Sequence, residues 1–538
     1  MRKLGLGLGM DPAMPAGATT FRQIKKTRKN SEVAAAAAMT SSGGTLLLFF
    51  LLAVLLGALS TFCWINQEFF VSIPAGITKA QNLVIRPNTT HTQTPRPPKP
   101  KAKPKPKRPT IPFTCPTGNR TTTRICPSPP RLPLPASSLS PSPSCPDYFR
   151  WIHEDLRPWK STGITQEMVK RARETAHFRL VVLDGRVYME RYRRSFQTRD
   201  VFTLWGILQL LRRYPGRIPD LELMFNTEDW PVVPARRNTS APPPLFHYCA
   251  NHSTLDIVFP DWTFWGWPEI NMKPWEPLKR ELKAGNERVR WMDREPYAYW
   301  KGNPLVSAAR KDLLKCNVSK AHDWNARIYN LSWRKETQIG FKESDLASQC
   351  IHRYKIYIEG VAWSVSEKYI LACNSLTLLV KPRYYDFFSR SLMPLQHYWP
   401  VRSNDKCRSI KYAVDWGNSH KQKAQAIGKE ASNFIQEKLK MEYVYDYMLH
   451  LLTEYSKLLR YKPTRPRKAI ELCSESMACP SKGLQKKFMM ESMVKSPHDS
   501  APCNLPPPLE PVELKMLERR KAIAIKQVEM WEQKAQHS

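Results

Sequence analysis

From Leu46 to Ile65 the chain runs LLLFFLLAVLLGALSTFCWI, 20 residues with no charge and no polar face. A helix needs about 20 such residues to cross a hydrocarbon core of about 30 Å, and a buried core helix would show a polar stripe. The run is too long and starts too late for a cleaved signal peptide, whose apolar core spans about 7–15 residues. It predicts an uncleaved signal anchor. Arg22, Lys25, Lys26, Arg28 and Lys29 precede it, and Lys79 is the only base between Asn66 and Ile85. That asymmetry puts residues 1–45 in the cytosol and the rest of the chain in a lumen.

The chain has 538 residues, 83 Lys+Arg and 47 Asp+Glu, a net charge of +36. Such a charge suggests nucleic acid until it is located. Residues 1–45 carry seven bases against Asp11 and Glu32, and residues 86–131 carry eleven bases and no acid. The remaining +20 is spread over residues 132–538. The segment 66–146, with TQTPRPPKPKAKPKPKRPT and CPSPPRLPLPASSLSPSPSCP, favours an extended polyproline-like stem stiffened by like-charge repulsion. A lumenal domain on a charged stem disfavours nucleic acid as a partner.

Six N-x-S/T sequons, at Asn88, Asn119, Asn238, Asn251, Asn317 and Asn330, all follow the anchor. Eleven of the twelve cysteines do too, as expected of disulfides in an oxidising lumen. Eleven is odd, so at least one thiol stays free or pairs between chains. No Cys/His spacing of zinc type occurs, so no metal site is predicted.

Beyond Asp147 the texture becomes globular. FRLVVLDG (Phe178–Gly185) reads as a strand into a turn with RVYMERY as its partner; DVFTLWGILQLLRRYP has helical spacing stopped by Pro215; Asp220–Asn226 is a second strand. Arg353–Gly360, the helix-like VAWSVSEKYILAC and Ser375–Val380 make a βαβ unit, which requires a parallel sheet. Two amphipathic helices follow Ser419, and EPVELKMLERRKAIAIKQVEMWEQ reads as a third. The expected class is α/β, with two nucleotide-binding-like lobes.

Ligands in open α/β sheets sit beyond the carboxyl ends of strands. Asp229, just after the strand at 220–226, reads either as a general base for a hydroxyl or as the cap of the next turn. Gly360-Val361-Ala362-Trp363-Ser364 follows another strand; it reads either as a capped helix start or as a pyrophosphate cradle, with Lys368 adding a charge. Trp262, Phe264, Trp265 and Trp267 put four rings within ten residues, suited equally to a core and to sugar stacking.

The strings WTFWGWPE (262–269), YWKGN (299–303) and YKIYIEGVAWSVSEKY (354–369) resemble the Rumi/capsule-associated protein (KTEL) family of glycosyltransferases, most closely its plant members, over residues 145–465. The resemblance implies a GT-B fold of two Rossmann-like lobes with a UDP-sugar between them. It also implies inversion at the anomeric carbon without an obligatory metal, and glucose or xylose transfer to a protein or polysaccharide hydroxyl. Position by position, the family's base falls on Asp229, and its acceptor and sugar segment on Trp262, Phe264, Trp265, Trp267 and Pro268. Its donor segment falls on Lys301, Gly302, Asn303 and Arg310, and its G-V-A-x-S loop on Gly360, Val361, Ala362 and Ser364, with Lys368 remaining after it. Val365-Ser366 stand where animal members carry Phe-Arg, and the KTEL-type ending is absent, which with the anchor points to the Golgi.

These expectations divide the chain into a tail (1–45), an anchor (46–65), a stem (66–146), a first lobe with the base (147–290), a donor lobe (291–465) and a partly helical extension (466–538). A non-catalytic, membrane-anchored binder of acidic polysaccharide is the competing reading.

Overall fold

The computed structural model describes residues 110–115, 126–128, 142–235 and 241–537, all within the compact unit Lys103–Ser538. The expected tail and anchor, most of the stem, and Asn88, Asn119 and Asn238 lie outside the described residues. Among the described residues no helix is long and apolar enough to cross a membrane.

Strands β1 (Phe178–Leu183), β2 (Arg186–Arg191), β3 (Leu221–Phe225), β4 (Leu245–His247), β5 (Ile257–Val258), β6 (Glu295–Gly302), β7 (Ala326–Asn330), β8 (His352–Tyr357), β9 (Leu376–Val380), β10 (Trp399–Val401) and β11 (Ile470–Leu472) form two sheets. The second has the order β10-β9-β8-β6-β7 and is parallel throughout, as the βαβ pattern predicted. The first, β11-β2-β1-β3-β4-β5, is mixed. Its β3-β4-β5 pairs are parallel, but β11, β2, β1 and β3 run antiparallel in turn. The departure from a wholly parallel Rossmann-like pattern covers three of the five pairs; for β1–β2 the link itself is the cause, since Asp184 and Gly185 take φ of 48° and 73°, the two positive values of a tight hairpin turn, and a two-residue link cannot make a parallel crossover.

The helix Arg199–Arg213 begins and ends where its periodicity places it, buried along most of its length. Met441–Leu458 returns to the core of the first sheet, where Tyr455 donates to the carbonyl of Glu222 at 3.0 Å. The extension is woven into both cores. β11 closes the first sheet on β2, and Pro511–His537 seats Val528 in the second core, with Glu532 bonded to Arg402 at 2.6 Å. Five disulfides join Cys115–Cys479, Cys126–Cys473, Cys145–Cys503, Cys316–Cys407 and Cys350–Cys373, leaving Cys249 as the buried free thiol among the described cysteines.

Gly428, in the helix Lys421–Asn433, gives a stability test. An added Cβ would meet Ser375 C at 2.6 Å and Leu376 N at 2.9 Å, backbone atoms of the β9 approach that cannot rotate away. Helix propensity alone favours Gly428→Ala by about 1 kcal/mol. Overpacking costs about 1–3 kcal/mol and is expected to win, so chemical unfolding should show a net loss of stability.

Candidate functional site

A cavity of about 610 Å³ is lined from both halves of the described unit. Asp229, Trp262 and Trp267 come from the first half; Lys301, Gly302, Asn303, Arg310, Gly360, Val361 and Ser364 come from the second. Ten of the expected site residues thus meet around one space. The other five do not line it. Phe264 and Trp265 are fully buried core, the latter donating its indole N–H to Tyr445 at 3.0 Å. Pro268 only opens the short helix Pro268–Ile270, and Ala362 is buried beneath its loop.

Lys368 is the main correction. Its helix spans Ser366–Ala372, and its side chain is buried. Its ammonium, 2% exposed, donates to Asp261 Oδ2 at 2.8 Å, and Lys368 is not among the residues that line the cavity.

Asp229 sits on a loop fixed from behind. Thr227 N donates to His177 Nδ1 at 3.2 Å, and Glu228 N to Asn226 Oδ1 at 2.7 Å. Downstream, Asp256 accepts from Val232 N at 3.0 Å and Val233 N at 2.9 Å. Burial pushes the Asp256 carboxyl up to about 7. Arg199, at the opening of the helix Arg199–Arg213, brackets Asp229: Nη1 lies 3.2 Å from Oδ1 and Nη2 donates to Oδ2 at 3.4 Å. The same guanidinium lies 4.6 Å from the centre of the Trp262 ring and donates to the Thr227 carbonyl at 3.0 Å. This two-point hold fixes the carboxylate's plane. Sequence reasoning missed Arg199 because nothing local distinguishes a buried arginine at a helix start from an exposed one.

Arg310 ties the opposite wall together. Nε donates to the Glu359 carbonyl at 3.0 Å, Nη1 to the Asn303 carbonyl at 3.4 Å, and Nη2 to Ile358 O at 3.3 Å and Ser364 Oγ at 3.1 Å. Burial pushes its guanidinium down to about 10, with Tyr357 and then Asp229 opposing that shift. Arg310 therefore holds the 303 turn and the Gly360–Ser364 loop in one frame while presenting positive charge to the cavity. Gly302 is required by packing, since an added Cβ would lie 2.6 Å from Trp300 Cζ2; at Gly360 the nearest atom, Arg310 Nη2, would be 3.6 Å away. Lys301 donates to the carbonyl of Glu343, and Asn303 Oδ1 caps the next turn by accepting from Leu305 N at 2.9 Å.

Aromatic rings complete the first wall. Trp262 meets Trp267 edge to face at 5.0 Å, Trp267 donates to Gln197 Oε1 at 2.7 Å, and Trp363 lies 6.3 Å from Trp262. Trp262, Trp267 and Trp363 all line the cavity, and the indole N–H groups of Trp262 and Trp363 are buried without an acceptor; aromatic rings of this kind suit the apolar face of a sugar.

The carboxylate, cationic frame and aromatic wall match what glycosyl transfer requires, and comparison with known proteins agrees. Residues 140–532 match the model of glycosyl transferase family 90. The chain belongs to glycosyl transferase family 90. It is 29% identical over 343 residues to protein O-glucosyltransferase 1 of Bos taurus, covering 60% of this chain and 83% of that protein. O-glucosyltransferase rumi of Drosophila melanogaster is 26% identical over 344 residues, covering 61% and 81%. The human protein O-glucosyltransferase 1 is 28% identical over 343 residues. As a family 90 member the chain is a glycosyltransferase that draws on a sugar-nucleotide donor.

One grouping of potential metal ligands occurs among the described residues, Cys145, His450 and Cys503. Its two sulfurs are joined as a disulfide, and His450 Nε2 sits 2.8 Å from the Cys503 carbonyl. A disulfide has no thiolate to offer a metal. Asn330 is exposed, whereas Asn251 and Asn317 are half-buried with Oδ1 accepting from Ser253 N and Ile328 N.

Proposed function

We propose that this glycosyltransferase moves glucose or xylose from a UDP-sugar to a hydroxyl of a protein, or of a cell-wall polysaccharide, with inversion, and that its two halves act as GT-B lobes. The observation that carries the reading is the bracketed Asp229 carboxylate across the cavity from the Arg310, Gly360 and Ser364 frame. Asp229 removes the acceptor proton as the acceptor oxygen bonds to the anomeric carbon. The bond from that carbon to the phosphate oxygen breaks, UDP leaves with the electron pair, and Asp229 returns its proton to solvent. Arg310 stabilises the departing charge by placement within a water-poor cleft. No metal is assigned a role. The names of the O-glucosyltransferase relatives support a protein acceptor, and the apolar run 46–65 with its basic flank supports a type II Golgi membrane protein.

UDP release should be measured from the purified full-length protein in detergent, offered UDP-glucose, UDP-xylose and other UDP-sugars with protein and glycan acceptors. Acceptor-stimulated release from UDP-glucose or UDP-xylose is the expected result. Release from neither donor with any acceptor would sink the proposal.

A further inference from the structure

One group in the cavity has no part in this chemistry. Lys355, in β8, is 3% exposed and lines the cavity. Its neighbours Tyr354 and Ile356 belong to the core of the second sheet, so the strand's alternation turns Lys355 to the opposite face. Its ammonium has three hydrogens to give, and its contact is Cys373 Sγ at 3.4 Å, a disulfide sulfur and a weak acceptor. The Tyr299 ring centre lies 5.9 Å away. The charged and titratable groups facing it are Arg294 from the approach to β6, Tyr299 from β6 and His352 from β8, the last two stacked at 4.1 Å. None is acidic. Burial, with Arg294 adding to it, pushes the Lys355 ammonium down to about 7.

A methionine would fill this space without the penalty of a buried ammonium. The donor reading of the cavity, on which this inference rests, indicates what the lysine awaits. Arg310, Gly360 and Ser364 hold the diphosphate end at the carboxyl end of β8, and the sugar points toward Asp229. Lys355 lies five residues back, about 16 Å along an extended strand. Lys355 shares the cavity with Tyr299, Leu346 and Ile370, and on the donor reading this is the space left for ribose and base. We propose that Lys355 reads the base of the donor nucleotide by donating to a ring carbonyl oxygen. Uracil offers two such oxygens, cytosine one and adenine none, so Lys355 sets a preference for UDP.

Calorimetry of the full-length protein with UDP, CDP and ADP tests this. Wild type should favour UDP over ADP, and Lys355→Met should weaken UDP by about tenfold or more while leaving ADP nearly unchanged. Its thermal midpoint should equal or exceed that of wild type, which a merely structural lysine would not allow. Should the variant not fold, wild type still decides: the ammonium donates more strongly than the neutral amine, so the ratio of UDP to ADP affinity should be highest at low pH and decline as pH rises through about 7, the titration of the shared diphosphate cancelling in the ratio. An unchanged UDP to ADP ratio in Lys355→Met, or parallel pH profiles for both nucleotides, would overturn the inference alone. A wild type that binds no UDP would overturn the donor reading with it.

Discussion

Asp229→Asn should lower the rate of acceptor-dependent transfer by about 10²–10⁴-fold, the span a positioned general base contributes, with little change in UDP affinity. Asparagine keeps the size of the side chain and an oxygen for Arg199 to address, so the loop should hold its shape while the group that takes the proton is gone. The measurement is kcat alongside the dissociation constant for UDP. A full transfer rate in this variant would leave Asp229 as a capping residue and return the base to an unassigned group. Arg199→Met should act one step removed, by freeing the carboxylate that Nη1 and Nη2 bracket at 3.2 and 3.4 Å. Its loss should be smaller and should fall on kcat with UDP binding intact.

The second large effect concerns stability. Asp261→Ala should destabilise the protein by about 3–5 kcal/mol, because it strands a buried ammonium. Asp261 is 3% exposed, and Oδ1 caps the turn at Trp262 by accepting from Thr263 N at 2.8 Å while Oδ2 accepts from Lys368. Without it, Lys368 retains the Val365 carbonyl at 3.4 Å and the faces of Phe264 and Tyr369. Adding Lys368→Met should recover much of the loss, since the stranded charge is removed with its partner. Urea unfolding of both single variants and the double gives the coupling. A single variant within about 0.5 kcal/mol of wild type, the range of surface changes, would mean that the pair carries little. Against a typical total of about 5–15 kcal/mol, the expected loss is large.

The sequence made the elements plain where one periodicity dominated. FRLVVL, LELMF and LTLLV are strands, and the helix ahead of Tyr214 and Pro215 stops where proline forbids its continuation. It made the site plain where a short motif followed a strand, which is why Asp229, Trp300-Lys301-Gly302 and Gly360–Ser364 converge on one cavity. It was silent on matters decided across long separations. The reach from Arg199 to Asp229 depends on tertiary packing, as does the choice between cavity and core for Trp262 and Trp265, three residues apart. Lys368 shows the limit most clearly: its motif aligned, yet its ammonium is taken up by Asp261, a partner 107 residues away in the chain.

The weaving of the extension into the fold bears on how the protein is made. Cys115, Cys126 and Cys145 pair with Cys479, Cys473 and Cys503, and β11 seals the first sheet. Strand β2 emerges from the ribosome well before the segment that covers its edge, so this edge stays open until synthesis is nearly over. On the proposed lumenal topology, early thiols must wait for late ones among oxidants that would readily couple neighbours. Domains that close only on their last-made segment are exposed to mispairing during translation. The yield of folded full-length protein should therefore respond strongly to disulfide isomerase supply, and a fragment trimmed to 147–465 would emerge with a bare strand edge.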